Sequence, residues 1–143
     1  MAAQTQNSKR QRVLVADDNQ EMRNTVIRLL DTEYEVVGAV ENGQALVEAE
    51  SKLSPDIGII DISMPIMNGV QAAQAIRKTG STMKIVFLTV NEDPDFVRAA
   101  LNAGANGYVA KREMASDLVR ALSEVVAGRC FISTCCALPK GGS

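Results

Sequence analysis

Apolar positions along the chain fall into two alternating rhythms. Short runs without polar alternation occur at Val13-Leu14-Val15-Ala16, Ile57-Gly58-Ile59-Ile60, Lys84 to Thr89 (KIVFLT) and Tyr108-Val109-Ala110. Rich in β-branched residues, they predict strands buried on both faces. Tyr34 to Val40 reads as a further strand, second in chain order. Between these runs apolar residues return at helical spacing: Met22, Val26, Leu29 and Leu30; Ala45, Leu46, Val47 and Ala49; Val70, Ala72, Ala73 and Ile76; Phe96, Val97, Ala100 and Leu101; and Leu118, Val119, Leu122, Val125 and Val126. Each set predicts a helix with one apolar face. Punctuation agrees. Asn19 can cap the first helix, Asn42-Gly43 is a turn, Pro55 breaks the chain and Asn68-Gly69 opens the third helix, which Gly80 ends. Asp93 and Pro94 start the fourth helix, Gly104 and Gly107 flank a turn, Ser116 is the expected N-cap of the last helix, and Gly128 ends it.

Five strands alternating with five helices predict a parallel sheet covered on both faces, a doubly wound α/β domain with right-handed crossovers. The expected domain spans residues 12–128, after a disordered leader (1–11) and before a C-terminal tail or truncated linker (129–143).

Composition narrows the chemistry. With 143 residues, 46% of them hydrophobic, the chain fits one domain with a real core. A net charge of -2 and a pI near 5.2 suggest no electrostatic grip on nucleic acid or on an anionic membrane. No run approaches the ~20 apolar residues of a membrane span, and the polar start MAAQTQNSKRQR is unlike a secretory signal; a soluble, cytoplasmic protein is expected. Cys130, Cys135 and Cys136 are an odd, clustered set, a poor disulfide framework. There is no histidine. That argues against a zinc site and removes Ser-His-Asp and Cys-His catalysis, leaving carboxylates, hydroxyls and lysines.

Asp17, Asp61, Thr89 and Lys111 each fall at the C-terminal end of a predicted strand. In open parallel sheets that edge is where ligands bind, so residues distant in sequence should meet there in one crevice. Asp17, Asp18 and Asp61 would repel each other unless a cation joined them. Hard oxygen ligands without His or Cys point to Mg²⁺, which also binds phosphate. Lys111 supplies a mobile positive charge and Thr89 a hydroxyl donor for phosphoryl oxygens. The combination suits in-line phosphoryl transfer to a carboxylate, driven by positioning and charge neutralisation. Singly, each residue has a bland explanation, as a turn, a strand end or a surface charge; their shared position at one sheet edge is the signal.

The segments VLVADDN, IIDISMPIMNG, IVFLT and GYVAK, in this order, resemble the conserved segments of response-regulator receiver domains of two-component systems. The resemblance covers residues 12–128 and implies a flavodoxin-like (βα)5 fold with strand order 2-1-3-4-5. It makes Asp61 the phosphoacceptor. Asp18 would bind Mg²⁺ directly, Asp17 partly through water, and the Ser63 backbone carbonyl would complete the protein ligands. Thr89 matches the switch hydroxyl, Lys111 the invariant lysine and Tyr108 the rotamer-switching aromatic, while Met64-Pro65 and Gly69 match the loop after the phosphorylation site. The implied partner is a sensor histidine kinase or phosphotransfer protein, docking near helix 1 and the strand 5 loop. Phosphorylation would change the face made by helix 4, strand 5 and helix 5 (residues 93–126), with homodimerisation through that face as a further expectation. GRCFIS (128–133) resembles the start of the linker in regulators with a LuxR-type helix-turn-helix, so transcription is the expected output of an effector absent from this chain, which is not itself expected to bind DNA.

Two departures stand out. Arg112 follows Lys111 where many receivers have proline and a cis peptide, so the geometry of that bond is open, and Val90 replaces the common Ala or Ser, which is expected to narrow access to the phosphoryl group. The alternatives are a phosphorylation-independent pseudo-receiver, a haloacid-dehalogenase-like enzyme and a flavodoxin-like cofactor binder. The second wants an aspartate where Ser63 stands, and the third wants aromatics, which make up only 3% of the chain.

Overall fold

The computed structural model describes residues 10–30 and 32–137. Most of the expected leader, residues 1–9, and the end of the expected tail, residues 138–143, lie outside the described residues. The elements run β1 (Arg12–Ala16), α1 (Gln20–Leu30), β2 (Glu35–Val40), α2 (Gly43–Leu53), β3 (Ile57–Ile60), α3 (Gly69–Lys78), β4 (Lys84–Thr89), α4 (Pro94–Asn102), β5 (Gly107–Ala110), a 3-10 turn (Lys111–Glu113), α5 (Met114–Val126), β6 (Phe131–Ile132) and a second 3-10 turn (Thr134–Cys136). The parallel sheet has the order β2-β1-β3-β4-β5-β6, so the chain reverses its direction of winding between β1 and β3. This is the flavodoxin-like order expected, extended by one strand.

Within each buried strand the side chains alternate between two cores, and both cores are apolar. Leu14, Ala16, Ile60, Ile85, Phe87, Tyr108 and Ala110 face Leu46, Ala72, Ala73, Ile76, Val97 and Ala100 of α2, α3 and α4. Val13, Val15, Ile57, Ile59, Val86, Leu88 and Val109 face Val26, Leu30, Leu118, Ala121, Leu122 and Val125 of α1 and α5. Two buried faces explain why these strands read as unbroken apolar runs. Each fully buried Val, Leu or Ile contributes roughly 1.5–3 kcal/mol of transfer free energy.

Most helices start at a side-chain cap, and Asn42, which the sequence marks only as part of a turn, supplies one of them. The Asn19 side chain accepts from the Met22 amide (2.9 Å) and Asn42 from Ala45 (2.8 Å). Asn68 and Gln71 form a reciprocal capping box at α3, and Asp93 accepts from Asp95 just ahead of Pro94. Ser116 departs from expectation: α5 already begins at Met114, and Ser116 lies inside it, its hydroxyl donating back to the Glu113 carbonyl (3.1 Å). The preceding 3-10 turn winds directly into the helix, so the start is not set by a side-chain cap.

The chain also continues as ordered structure past Gly128. β6 pairs in parallel with β5, Ser133 is fully buried, and Cys136 joins the core that contains Tyr108. The sheet therefore has six strands where five were expected. Among the described residues no peptide bond is cis, which settles the Lys111–Arg112 bond as trans.

Candidate functional site

Register brings the site together. Ala16 pairs with Ile60, and Thr89 with Ala110, so Asp17, Asp61, Thr89 and Lys111 all emerge at the carboxyl edge. Backbone bonds carry the sheet one step further at that edge: the Asp61 amide donates to the Ala16 carbonyl (2.9 Å) and the Asp17 amide to the Val40 carbonyl (3.0 Å). Behind Asp61 the chain packs so closely that a Cβ on Gly69 would collide with the Asp61 carbonyl oxygen. Glycine is required there by close approach, not by conformation.

The ligand atoms offered by Asp17, Asp18 and Asp61 lie within 4.8 Å of one another. Asp17 and Asp61 are buried at 3% and 5% exposure, whereas Asp18 is exposed, so the cluster opens to solvent on the Asp18 side. Lys111 Nζ sits 2.8 Å from Asp17 Oδ2 and 3.3 Å from Asp61 Oδ2. Asp17 Oδ1 accepts from the Asn19 amide (2.9 Å), which orients it, and the Ser63 amide donates to Asp61 Oδ1 at a long 3.4 Å.

Burial pushes the Asp61 carboxyl above the ordinary aspartate range; Lys111 opposes the rise and Asp17 adds to it. Burial alone would lower the Lys111 ammonium, but its bond to Asp17 and the charges of Asp61 and Asp17 leave it raised. The site thus holds a permanent cation against a carboxylate whose charge is costly. That is a donor set a hard divalent cation fits: three carboxylates open to water on one side, in a chain without histidine.

The loop after β4 adds a residue that the sequence reading did not single out. Asn91 donates to the Thr89 hydroxyl twice, from its backbone amide (3.2 Å) and its side chain (3.3 Å). The same side-chain nitrogen is 3.5 Å from Ser63 Oγ, and the Asn91 carbonyl accepts from the Tyr108 hydroxyl (2.7 Å). One asparagine therefore links the loop after the central carboxylate, the buried Thr89 and the fully buried Tyr108. Its only signal in the sequence was a side chain with donor and acceptor two positions past a strand end. Val90 points outward at 68% exposure, and Arg112 forms a two-point ion pair with Glu92 of this loop (2.7 and 3.0 Å). All of the expected side chains converge on this edge except Tyr108, which lies one layer behind it and reaches it through Asn91.

A doubly wound sheet with an acidic cluster, a lysine and a strand-end hydroxyl at its carboxyl edge defines a class of signalling domain. The family model described as response regulator receiver domain matches residues 13–123. The transcriptional regulatory protein DegU of Brevibacillus brevis is 34% identical over 128 residues, covering 88% of this chain and 54% of that protein. A LuxR-family two-component response regulator from Aurantimonas superposes with a TM-score of 0.85 at 28% identity, covering 90% of this chain and 93% of that one. The isolated REC domain of RcsB from Salmonella enterica, solved with the phosphomimetic BeF3-, superposes with a TM-score of 0.82 at 27% identity, covering 90% of this chain and 96% of that one. The chain belongs to the response-regulator receiver family. Receiver domains are signalling switches. The chain spans roughly half to three-fifths of the length of the first curated relatives it matches, 54% to 60%. Among the described residues no helix is long and apolar enough to cross a membrane.

Proposed function

We propose that Asp61 is the phosphoacceptor of a Mg²⁺-dependent switch, charged by a histidine kinase or phosphotransfer protein. The observation that carries this reading is the convergence of Asp17, Asp18 and Asp61 within 4.8 Å, with Lys111 bridging two of them. Asp17, Asp18, Asp61 and the Ser63 backbone carbonyl are the groups that would hold Mg²⁺, and the ion when bound supplies charge neutralisation for the incoming phosphoryl group.

Asp61 presents a carboxylate oxygen in line with the donor's P–N bond. The O–P bond forms as the P–N bond breaks, and the donor imidazole takes up the electron pair and a proton. Lys111 is 3.3 Å from Asp61 Oδ2 and moves its ammonium to a phosphoryl oxygen as the bond between Asp61 and phosphorus forms. Thr89 donates its hydroxyl to another phosphoryl oxygen. That movement takes Thr89 away from Asn91, and so alters the acceptor of Tyr108 and the α4–β5–α5 face. Water attacking the acyl phosphate returns the domain to its resting state.

The relatives' names support transcription as the output, delivered by an effector elsewhere in a longer protein; this acidic chain is not itself the DNA-binding part. The reading places the protein in the cytoplasm, where nucleotide-fed phosphodonors are. Phosphorylation-dependent pairing of two copies through the α4–β5–α5 face belongs to the same proposal.

Acetyl phosphate with Mg²⁺ tests it. Intact-mass measurement should show the gain of one phosphoryl group, absent in Asp61→Asn and absent when Mg²⁺ is chelated. Uptake retained by Asp61→Asn would remove the assignment, and no uptake by the native chain would leave a phosphorylation-independent interaction module.

A further inference from the structure

We propose that residues Phe131–Cys136 form a latch seated against β5, held through Ser133 and Cys136 and released when Tyr108 loses its bond to the loop after β4. This rests on the reading of Thr89 and Tyr108 as switch residues given above.

A strand of two residues has too few bonds to hold itself in place, so the segment's anchorage must come from elsewhere. Ser133 provides most of it. Its amide donates to the Tyr108 carbonyl (2.9 Å), its hydroxyl donates to Asp117 Oδ2 (2.7 Å), and the same hydroxyl accepts from the Ala110 amide (3.2 Å). One buried serine thereby ties β5, α5 and the C-terminal segment together. The next turn carries Cys136, whose amide donates to the Ser133 carbonyl (2.8 Å) and whose side chain enters the core shared by Tyr108, Val97 and Ala110. On the other side of the strand, the Arg120 guanidinium lies 5.5 Å from the centre of the Phe131 ring.

Tyr108 is bound at both ends. Its carbonyl holds the latch, and its hydroxyl holds the Asn91 carbonyl at 2.7 Å. Asn91 is in turn fastened to the Thr89 hydroxyl, the group that must move toward a phosphorylated Asp61. When Thr89 moves, Asn91 shifts and the buried phenol loses its acceptor. The bond to Asn91 is what fixes the ring in its place, so once it is lost the ring is released and the packing around Cys136 opens. The receiver then reports its state through the part of the chain that leads out of the domain as well as through its helical face.

Two of the cysteines make this measurable. Cys136 is 2% exposed, and burial pushes its thiol up to about 12; Cys130 is exposed and serves as an internal standard. The experiment measures alkylation of the whole chain by iodoacetamide, as the ratio of Cys136 to Cys130 modification by peptide mass spectrometry. In Tyr108→Phe without any phosphoryl mimic, the ratio should rise on the order of five- to tenfold, the factor one lost hydrogen bond gives. Mg²⁺ with beryllofluoride should produce a rise of the same order in the native chain, with occupancy checked separately by fluorine NMR. Ser133→Ala should raise the ratio in the unloaded chain while leaving phosphoryl uptake unchanged. An unchanged ratio in Tyr108→Phe, or in native chain shown to be loaded, overturns the latch. Failure to load, by contrast, sinks the Asp61 reading and leaves the Tyr108→Phe result to decide the latch alone.

Discussion

Asp61 keeps its carboxyl where burial works against its charge, with Lys111 offsetting the cost and Asp17 adding to it. Because its folded value is raised, the native state holds the proton more tightly than the unfolded chain. The stability this contributes is complete below the unfolded value of about 3.9 and is lost as pH rises through the folded value. With Mg²⁺ chelated, Asp61→Asn should therefore be more stable than the native chain at neutral pH, and the gap should close as pH falls toward about 4. Urea melts across that range check it; a gap that is constant or widens in acid contradicts the account. Ile66 carries a different cost. It sits in the left-handed region at φ 71 with 78% of its surface exposed, so a β-branched residue is strained there without burial in return. Ile66→Gly should stabilise the fold by about 0.5–1 kcal/mol in thermal or urea unfolding, the relief of left-handed strain less the greater freedom of glycine in the unfolded chain.

At the level of elements, local side-chain chemistry sets most helix starts but not the last. Asn42 accepts from Ala45 at 2.8 Å and caps α2, whereas Ser116 is the third residue of α5 and not its cap. Asn42→Ala should cost about 1 kcal/mol, while Ser116→Ala should fall within about 0.5 kcal/mol of the native chain. Equal losses in the two variants would restore Ser116 as a cap. Two loops at the amino edge of the sheet are tied by a residue that no periodicity marks. Arg77, at the end of α3, donates to the carbonyls of Ser81, Met83 and Gly104 and to the Asn106 side chain, joining the loops before β4 and before β5. In the chain it reads as a basic residue in a last helical turn, since its partners lie in loops up to 29 residues away.

Across the molecule, the fold sets one acidic crevice at one edge of the sheet, and ion binding there should register as global stability. Mg²⁺ should raise the melting temperature with the logarithm of its concentration, by roughly 2.7 kcal/mol in stability at a hundredfold excess over its dissociation constant. The response should vanish in Asp18→Asn, and a response to Mg²⁺ unchanged in that variant would place the ion elsewhere. The strands, the helices and the placement of Asp17, Asp61, Thr89 and Lys111 at the strand ends were legible in the chain, because doubly buried strands must be apolar and polar residues that follow them fall at the sheet's edge. The sixth strand was not, because Phe131–Ile132 is too short to carry a periodic pattern and its place comes from Ser133 meeting Asp117 and Ala110. Nor was Asn91, whose three partners lie on separate segments and meet only once β3, β4 and β5 are in register. Residue type and spacing dictated which groups stand at the edge of the sheet. Which of them touch depended on the packing of distant segments, since a hydrogen bond is decided by tenths of an ångström that a linear pattern does not encode.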